Sequence, residues 1–240
     1  MTDFLRFTME RFTPYAVVAP LLAPALTRLH ESRIVDLCSG GGGPWLDLLR
    51  RIPAAGGPEV RVTLTDAFPN RAAIARLRER TAGAIDGEAE PVSATAVPER
   101  LAGFRTLFTG LHHFLPTDVR GILANAERCR SGIGVFEITE RSLLSLVGML
   151  FLPLFVLLTT PFIRPFRWSR LLLTYLVPLI PLAVWFDGTV SCLRSYTPDE
   201  LLVMARSVGD QRTEWVAGRI RSAPFVTHVT YLIGVPRRDA

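Results

Sequence analysis

The stretch Arg33-Ile34-Val35-Asp36-Leu37-Cys38, followed by Ser39 and the four glycines Gly40 to Gly43, constrains this chain more than any other. Ile34, Val35 and Leu37 read as the end of a buried strand. Beyond Pro44, the run Trp45-Leu46-Asp47-Leu48-Leu49-Arg50 reads as a helix start. Strand, glycine turn and helix together make a nucleotide-cradling form. Glycine lets backbone approach a ligand closely, and a helix N-terminus points free N–H groups into the same space. A merely flexible turn is the plainer alternative. The spacing, Asp36-x-Cys38-x-Gly40-x-Gly42, is neither the dehydrogenase G-x-G-x-x-G arrangement nor G-x-x-x-x-G-K-[ST].

The chain around this stretch alternates in the β-α manner. Val60, Val62 and Leu64 define a second strand ending at Asp66, and residues 70–82 form an amphipathic helix capped by Asn70. A third strand is expected around Pro91–Pro98. A fourth runs from Phe104 into Leu111-His112-His113-Phe114. A helix over 117–129 capped by Thr117 and a fifth strand over Ile133–Thr139 follow. Residues 33–140 therefore predict an α/β, Rossmann-like, doubly wound and mostly parallel sheet. Before it, residues 3–30 read as helix, interrupted by Pro14, Pro20 and Pro24. After residue 187, Thr197, Pro198 and Glu200 make a capping box, and residues 212–220 and 225–235 alternate as an antiparallel pair.

Composition narrows the chemistry. All 27 basic residues are arginine, which excludes a lysine Schiff base, a P-loop lysine and a Tyr-x-x-x-Lys dehydrogenase site. The net charge of +5 suits nucleic acid or an anionic membrane surface. Arg71, Arg76, Arg78 and Arg80 read as a solvated helix face, since Glu79 breaks the run and no aromatics interleave. Cys38, Cys129 and Cys192 are too widely spaced for a metal site or a disulfide framework, so a reducing compartment is the default and no metal is expected. Met1-Thr2-Asp3-Phe4 carries an early acid and is not the pattern of a signal peptide.

The glycine stretch resembles motif I of the class I S-adenosylmethionine (SAM) methyltransferases, acid-x-Gly-x-Gly-x-Gly, with Cys38 in place of the first glycine. The resemblance covers residues 33–140 and resumes at 187–236. It implies SAM as cofactor, held by Asp36, Cys38, Ser39 and the loop Gly40, Gly41, Gly42. Asp66, some 24 residues beyond Gly42, stands where a carboxylate accepts from both ribose hydroxyls, although an acid at a strand end is also a common turn former. Ala67 and Phe68 would lie at the adenine, with Phe68 over its face. Many relatives carry an acid after the third strand for the adenine amino group. Here the positions are Ser93, Ala94 and Thr95, so Ala94 is the nearest match and the adenine contact departs from the pattern. Thr109 would complete the cofactor set. His112 or His113 would take a proton from the acceptor, one of the pair being structural. On a strand end the two would face opposite ways. N-terminal helices often form a lid in this family, which places Tyr15 near the ligand. Glu137, Asp187, Arg194 and Tyr196 are candidates for the acceptor pocket, and a structural turn explains the last three equally well.

One segment breaks the pattern. Leu143 to Ile163, 21 residues, carries no charge, and neither does Leu171 to Phe186. That length suffices to cross a bilayer core. Between them lies Arg164-Pro165-Phe166-Arg167-Trp168-Ser169-Arg170. A full crossing would carry three arginines over the membrane, against the positive-inside tendency. A monotopic, re-entrant or interface-lying apolar helical hairpin is favoured, with a two-pass hairpin and a buried hairpin as alternatives. The expected organisation is a lid (1–32), a SAM-binding core (33–140), a membrane-associating insertion (141–186) and completion of the sheet (187–240). The corresponding function is SAM-dependent methylation of a small, lipophilic acceptor at the cytoplasmic face of a membrane, with no nucleic-acid partner. An RNA methyltransferase and a non-catalytic membrane protein with a degenerate SAM fold are the other readings.

Overall fold

The computed structural model describes residues 2–209, 212–222 and 227–237. Its N-terminal part is α1 (Thr2–Phe12), a 3-10 turn (Pro14–Val18) and α2 (Ala19–Leu29). The expected interruption at Pro14 is present, whereas Pro20 and Pro24 lie within α2 and do not break it. Thr13 sits in the left-handed region at φ 42°, and Pro14 restarts the chain as a tighter turn. Then come β1 (Arg33–Leu37), α3 (Trp45–Ala54), β2 (Arg61–Leu64), α4 (Arg71–Arg80), β3 (Ile85–Gly87), β4 (Phe104–Phe108), α5 (Pro116–Arg128) and β5 (Ile133–Glu137). The insertion contains α6 (Leu143–Met149), α7 (Leu152–Thr159), α8 (Trp168–Leu171) and α9 (Leu179–Arg194). The chain ends with α10 (Pro198–Arg206), β6 (Thr213–Ser222) and β7 (Thr227–Pro236). Residues 225 and 226, the start of the expected last strand, lie outside the described residues.

The seven strands form one sheet in the order β3-β2-β1-β4-β5-β7-β6. β1 to β5 pair in parallel, and β7 joins β5 and β6 antiparallel. Every residue of β4 and β5 is buried, as a strand covered on both faces requires. One face packs on Leu22, Leu26, Leu48 and Ile52 of α2 and α3; the other packs on Val119, Ile122, Leu201 and Met204 of α5 and α10.

Four expectations need correction. The third strand is Ile85–Gly87; residues 91–97 form no strand, and 94–96 turn instead. Val92, Ala94 and Val97 are buried there and imitate strand alternation. Only Val92 is tied to β2's end, through its N–H to the Asp66 carbonyl. α5 begins one residue early, with Leu115 at its N-cap, and Asp118 accepts from the Leu115 N–H. The insertion's second arm does not stop at Phe186, because α9 continues unbroken through Asp187 to Arg194. Its first arm is likewise divided, between α6 and α7.

Candidate functional site

The strand order reverses between the parallel neighbours β1 and β4, so a crevice opens beyond their C-terminal ends. Cys38 and Gly110 face each other there: a Cβ on Gly110 would stand 3.5 Å from that of Cys38. Cys38 has φ 55°, in the left-handed region, which is the physical reason a glycine suits this position. Burial, then the charges of Asp66, Asp36 and Glu137, push its thiol up to about 12, so it stays protonated and is no nucleophile.

Asp36 is buried at the end of β1. One carboxylate oxygen accepts from Thr106 Oγ1 of β4 at 2.6 Å. Burial pushes its carboxyl up to about 6, only partly opposed by the Thr106 hydrogen bond. The Asp36 carbonyl ties the turn together, accepting from Ser39 Oγ (2.7 Å), Thr65 N–H (2.8 Å) and Thr65 Oγ1 (2.9 Å). Ser39 therefore stitches β1 to β2; its hydroxyl is engaged within the protein.

The glycine loop closes over this turn. Gly42 has φ 107°, and a Cβ there would fall 2.1 Å from Leu77 Cδ1, so this glycine lets the loop seat on α4. Gly40, at φ 51°, faces open space. Its N–H donates to Asp66 Oδ2 at 2.8 Å, while Asp66 Oδ1 accepts from Phe68 N–H at 2.8 Å. Asp66 thus stands at the mouth of the loop, as its spacing predicts. Phe68 and Ala67 are exposed beside it. Ala94 is buried among apolar side chains of the second core face, and presents no polar group.

Beyond β4 the histidines lie on a 3-10 turn, Leu111–His113, rather than a strand end. Adjacent side chains there do not oppose each other: the rings sit 4.2 Å apart, tilted by 46°. His112 is buried and its Nδ1 meets Glu137 Oε2 at 2.8 Å. His113 is exposed. Its pKa is lowered, first by desolvation and then by His112, with Asp187 acting in the opposite direction. Arg194 donates to the His113 carbonyl (3.2 Å) and Tyr196 to the Phe114 carbonyl (2.8 Å). Asp187, Arg194 and Tyr196 are thus brought to the histidine turn.

Two expected pocket residues have other duties. Glu137 also accepts from Gly110 N–H (2.8 Å), Leu111 N–H (2.6 Å) and Thr139 Oγ1 (3.2 Å), so the carboxylate expected to meet the acceptor holds the turn instead. Tyr15 is buried, with its hydroxyl bonded to Thr109 Oγ1 and its ring edge-on to Phe108 at 5.0 Å. Burial raises its pKa, so it remains a phenol. Next to the turn lies an open groove of about 780 Å³, where the apolar side chains of Phe114, Leu115, Leu193, Val203 and Met204 stand among the charged Arg120, Arg141, Arg194, Asp199 and Glu200. Leu193, Val203 and Met204 carry no sequence signal beyond helical periodicity. Thr106 has none either, since its partner Asp36 lies 70 residues away.

No protein-family model matches this sequence, and no curated protein does. Solved structures do. The chain is similar to an O-methyltransferase family protein from Burkholderia thailandensis, with TM-score 0.59 and 15% identity, over 100% of this chain and 60% of that one. It is also similar to the plantazolicin methyltransferase BpumL in complex with SAH, with TM-score 0.56 and 10% identity, over 98% and 89% of the two chains. A third likeness is to the SAM-dependent methyltransferase SibL, with TM-score 0.52 and 16% identity, over 93% and 56%. The chain thus spans less than two thirds of the Burkholderia and SibL proteins. The fold is the class I SAM-dependent methyltransferase fold, with an apolar helical insertion between β5 and α10.

Proposed function

We propose that this protein is a SAM-dependent methyltransferase acting on a small lipophilic acceptor at the cytoplasmic face of a membrane. The observation that carries the reading is the glycine loop after β1, open at Gly40 and faced by the Asp66 carboxylate, at the reversal point of the sheet. The residues fit the cofactor. Asp66 keeps a further lone pair on each carboxylate oxygen, beyond its bonds from Gly40 N–H and Phe68 N–H, for a ribose hydroxyl pair, and Asp36 is a desolvated carboxylate suited to a cationic ligand. Bound SAM supplies an electrophilic methyl group. The chain's own part is to orient the acceptor and exclude water. His113, exposed on the turn and with its pKa lowered first by desolvation, takes the acceptor's proton on its imidazole. His112, fixed by Glu137, positions it.

The lipophilic acceptor is supported by the apolar side chains that line part of the groove beside the histidine turn and by the apolar insertion that continues from it through α9. Calorimetric titration of SAM into the purified chain, wild type beside Asp66→Ala, tests the cofactor site. The variant is expected to lose about 10- to 100-fold in affinity, the worth of hydrogen bonds to a charged acceptor. No binding by the wild type would leave the degenerate membrane scaffold as the reading. His113→Gln is expected to lower turnover about 10²- to 10⁴-fold with SAM affinity unchanged. In the wild type the acid limb of the pH–rate profile should fall below the ordinary histidine value of about 6.5, since a lowered pKa keeps the base unprotonated further into acid. An acid limb above that value would remove His113 from the role.

A further inference from the structure

We propose that the outer face of the insertion docks on a bilayer rich in anionic headgroups, and that the Arg164–Arg170 tip reads the charge. The inference rests on the membrane-surface reading above and names the surface it fits. The insertion has two faces. Its inner face is committed to α1: Val156, Ile163 and Val184 bury against Phe4, and the Phe155 ring meets those of Phe4 and Phe12 at 5.9 and 5.7 Å. Its outer face has no such cover. Among the described residues, eighteen of the twenty-three large apolar side chains left exposed lie between Leu143 and Phe186. Leu143, Phe151, Leu158, Phe162, Leu176 and Phe186 are examples. Soluble monomers rarely expose an apolar patch of such extent.

The geometry favours lying on the membrane over crossing it. Among the described residues no single helix is long and apolar enough to span. The two helix pairs that reach the length together bend by 43° and 76°. A layer that keeps one side on α1 and bares the other meets a membrane from one side only, as an interfacial element does.

Charge selects the membrane. From Arg141 to Phe186 there is no Asp or Glu, while Arg164, Arg167 and Arg170 fall within seven residues. Arg170 donates to the Ile163 carbonyl (2.9 Å) and the Pro165 carbonyl (3.1 Å), which fixes the tip turn. Phe166 and Trp168 pack edge to face at 5.2 Å, and Trp168 is 78% exposed. An exposed aromatic pair among guanidiniums suits the boundary between acyl chains and phosphates. A second copy of the chain suits it less. Its matching face would bring arginines and no carboxylate from residues 141–186 to meet them.

The test is vesicle co-flotation of the full chain. Vesicles of phosphatidylcholine alone are compared with an equal mixture of phosphatidylcholine and phosphatidylglycerol, for wild type and for the double variant Arg164→Gln, Arg167→Gln. Each arginine near an anionic surface contributes about fivefold in affinity. The wild type should therefore prefer the anionic vesicles by at least about 10-fold, and the double variant should lose about 25-fold on them but little on phosphatidylcholine. High salt should narrow the gap. Trp168→Phe should reduce the blue shift of tryptophan emission on binding. Equal binding to both vesicles, or a double variant that binds as wild type does, would overturn the inference. So would a stable dimer that stays off both vesicles. The assay uses no SAM. A chain that binds SAM yet ignores vesicles overturns this inference alone, and one that floats without binding SAM supports it while overturning the methyltransferase reading.

Discussion

Replacing Glu137 by alanine is expected to cost the fold about 3–5 kcal/mol, the usual effect of removing one partner of a buried charged network. Glu137 ends β5 with only 2% exposure, and its two oxygens serve four donors: Gly110 N–H, Leu111 N–H, His112 Nδ1 and Thr139 Oγ1. Alanine leaves two backbone N–H groups and a ring nitrogen without an acceptor in a dry site. Each costs about 1–3 kcal/mol, less what entering water recovers. Against a total of about 5–15 kcal/mol for a domain, this is a large fraction. The measurement is urea unfolding, where the midpoint should fall with little change in slope. Glu137→Gln should cost less, about 1–3 kcal/mol, because one amide oxygen still receives the backbone pair while the NH₂ group meets a donor. An alanine variant as stable as wild type would show that the histidine turn is held by something other than this carboxylate.

That network also marks where sequence reasoning stops. Asp36, the glycine loop and Asp66 were legible because the turn is local: strand, glycines and strand-end acid are each recognisable in one short window. The division of labour between His112 and His113 was not, since it depends on Glu137 some 25 residues on and on a 3-10 turn in place of a strand end. β1 and β5 were legible as apolar runs and β2 by the alternation of Val60, Val62 and Leu64. β3 was not, because three residues carry no periodicity, whereas Val92, Ala94 and Val97 produce a false one in a stretch without strand flanked by Pro91 and Pro98. The end of the insertion was misplaced for a related reason. Asp187 looks like a boundary because it ends an uncharged run, but a single half-buried acid does not stop a helix, and α9 carries it to the histidine turn. The groove formed by Phe114, Leu193 and Val203 arises from three elements distant in sequence.

Asp36→Asn is expected to change stability in the opposite direction to Glu137→Ala. Both acids are buried, but Asp36 has Thr106 Oγ1 as its short side-chain hydrogen bond where Glu137 has four donors. Desolvation therefore dominates at Asp36 and lifts its carboxyl from 3.8 to about 6. Between those values the folded chain keeps a proton that the unfolded chain releases, so stability falls as pH rises, and the full cost applies above about 6. A shift of that size corresponds to about 3 kcal/mol. Asparagine carries no charge, and its amide oxygen still accepts from Thr106. At about pH 7.5 the variant should be the more stable by about 1–3 kcal/mol, and the gap should close near pH 4. Its affinity for SAM should drop by about 10²-fold or more, since truncating a desolvated charge that faces a cation costs about 2–5 kcal/mol. Thermal unfolding at the two pH values and SAM calorimetry measure both halves. A variant less stable than wild type at neutral pH would mean that the charged carboxylate stabilises the turn after β1. Retained affinity would remove Asp36 from the cofactor site. Obtaining both expected results would identify Asp36 as a charge held out of water at a cost to the fold, which is hard to account for unless a cationic ligand offsets it.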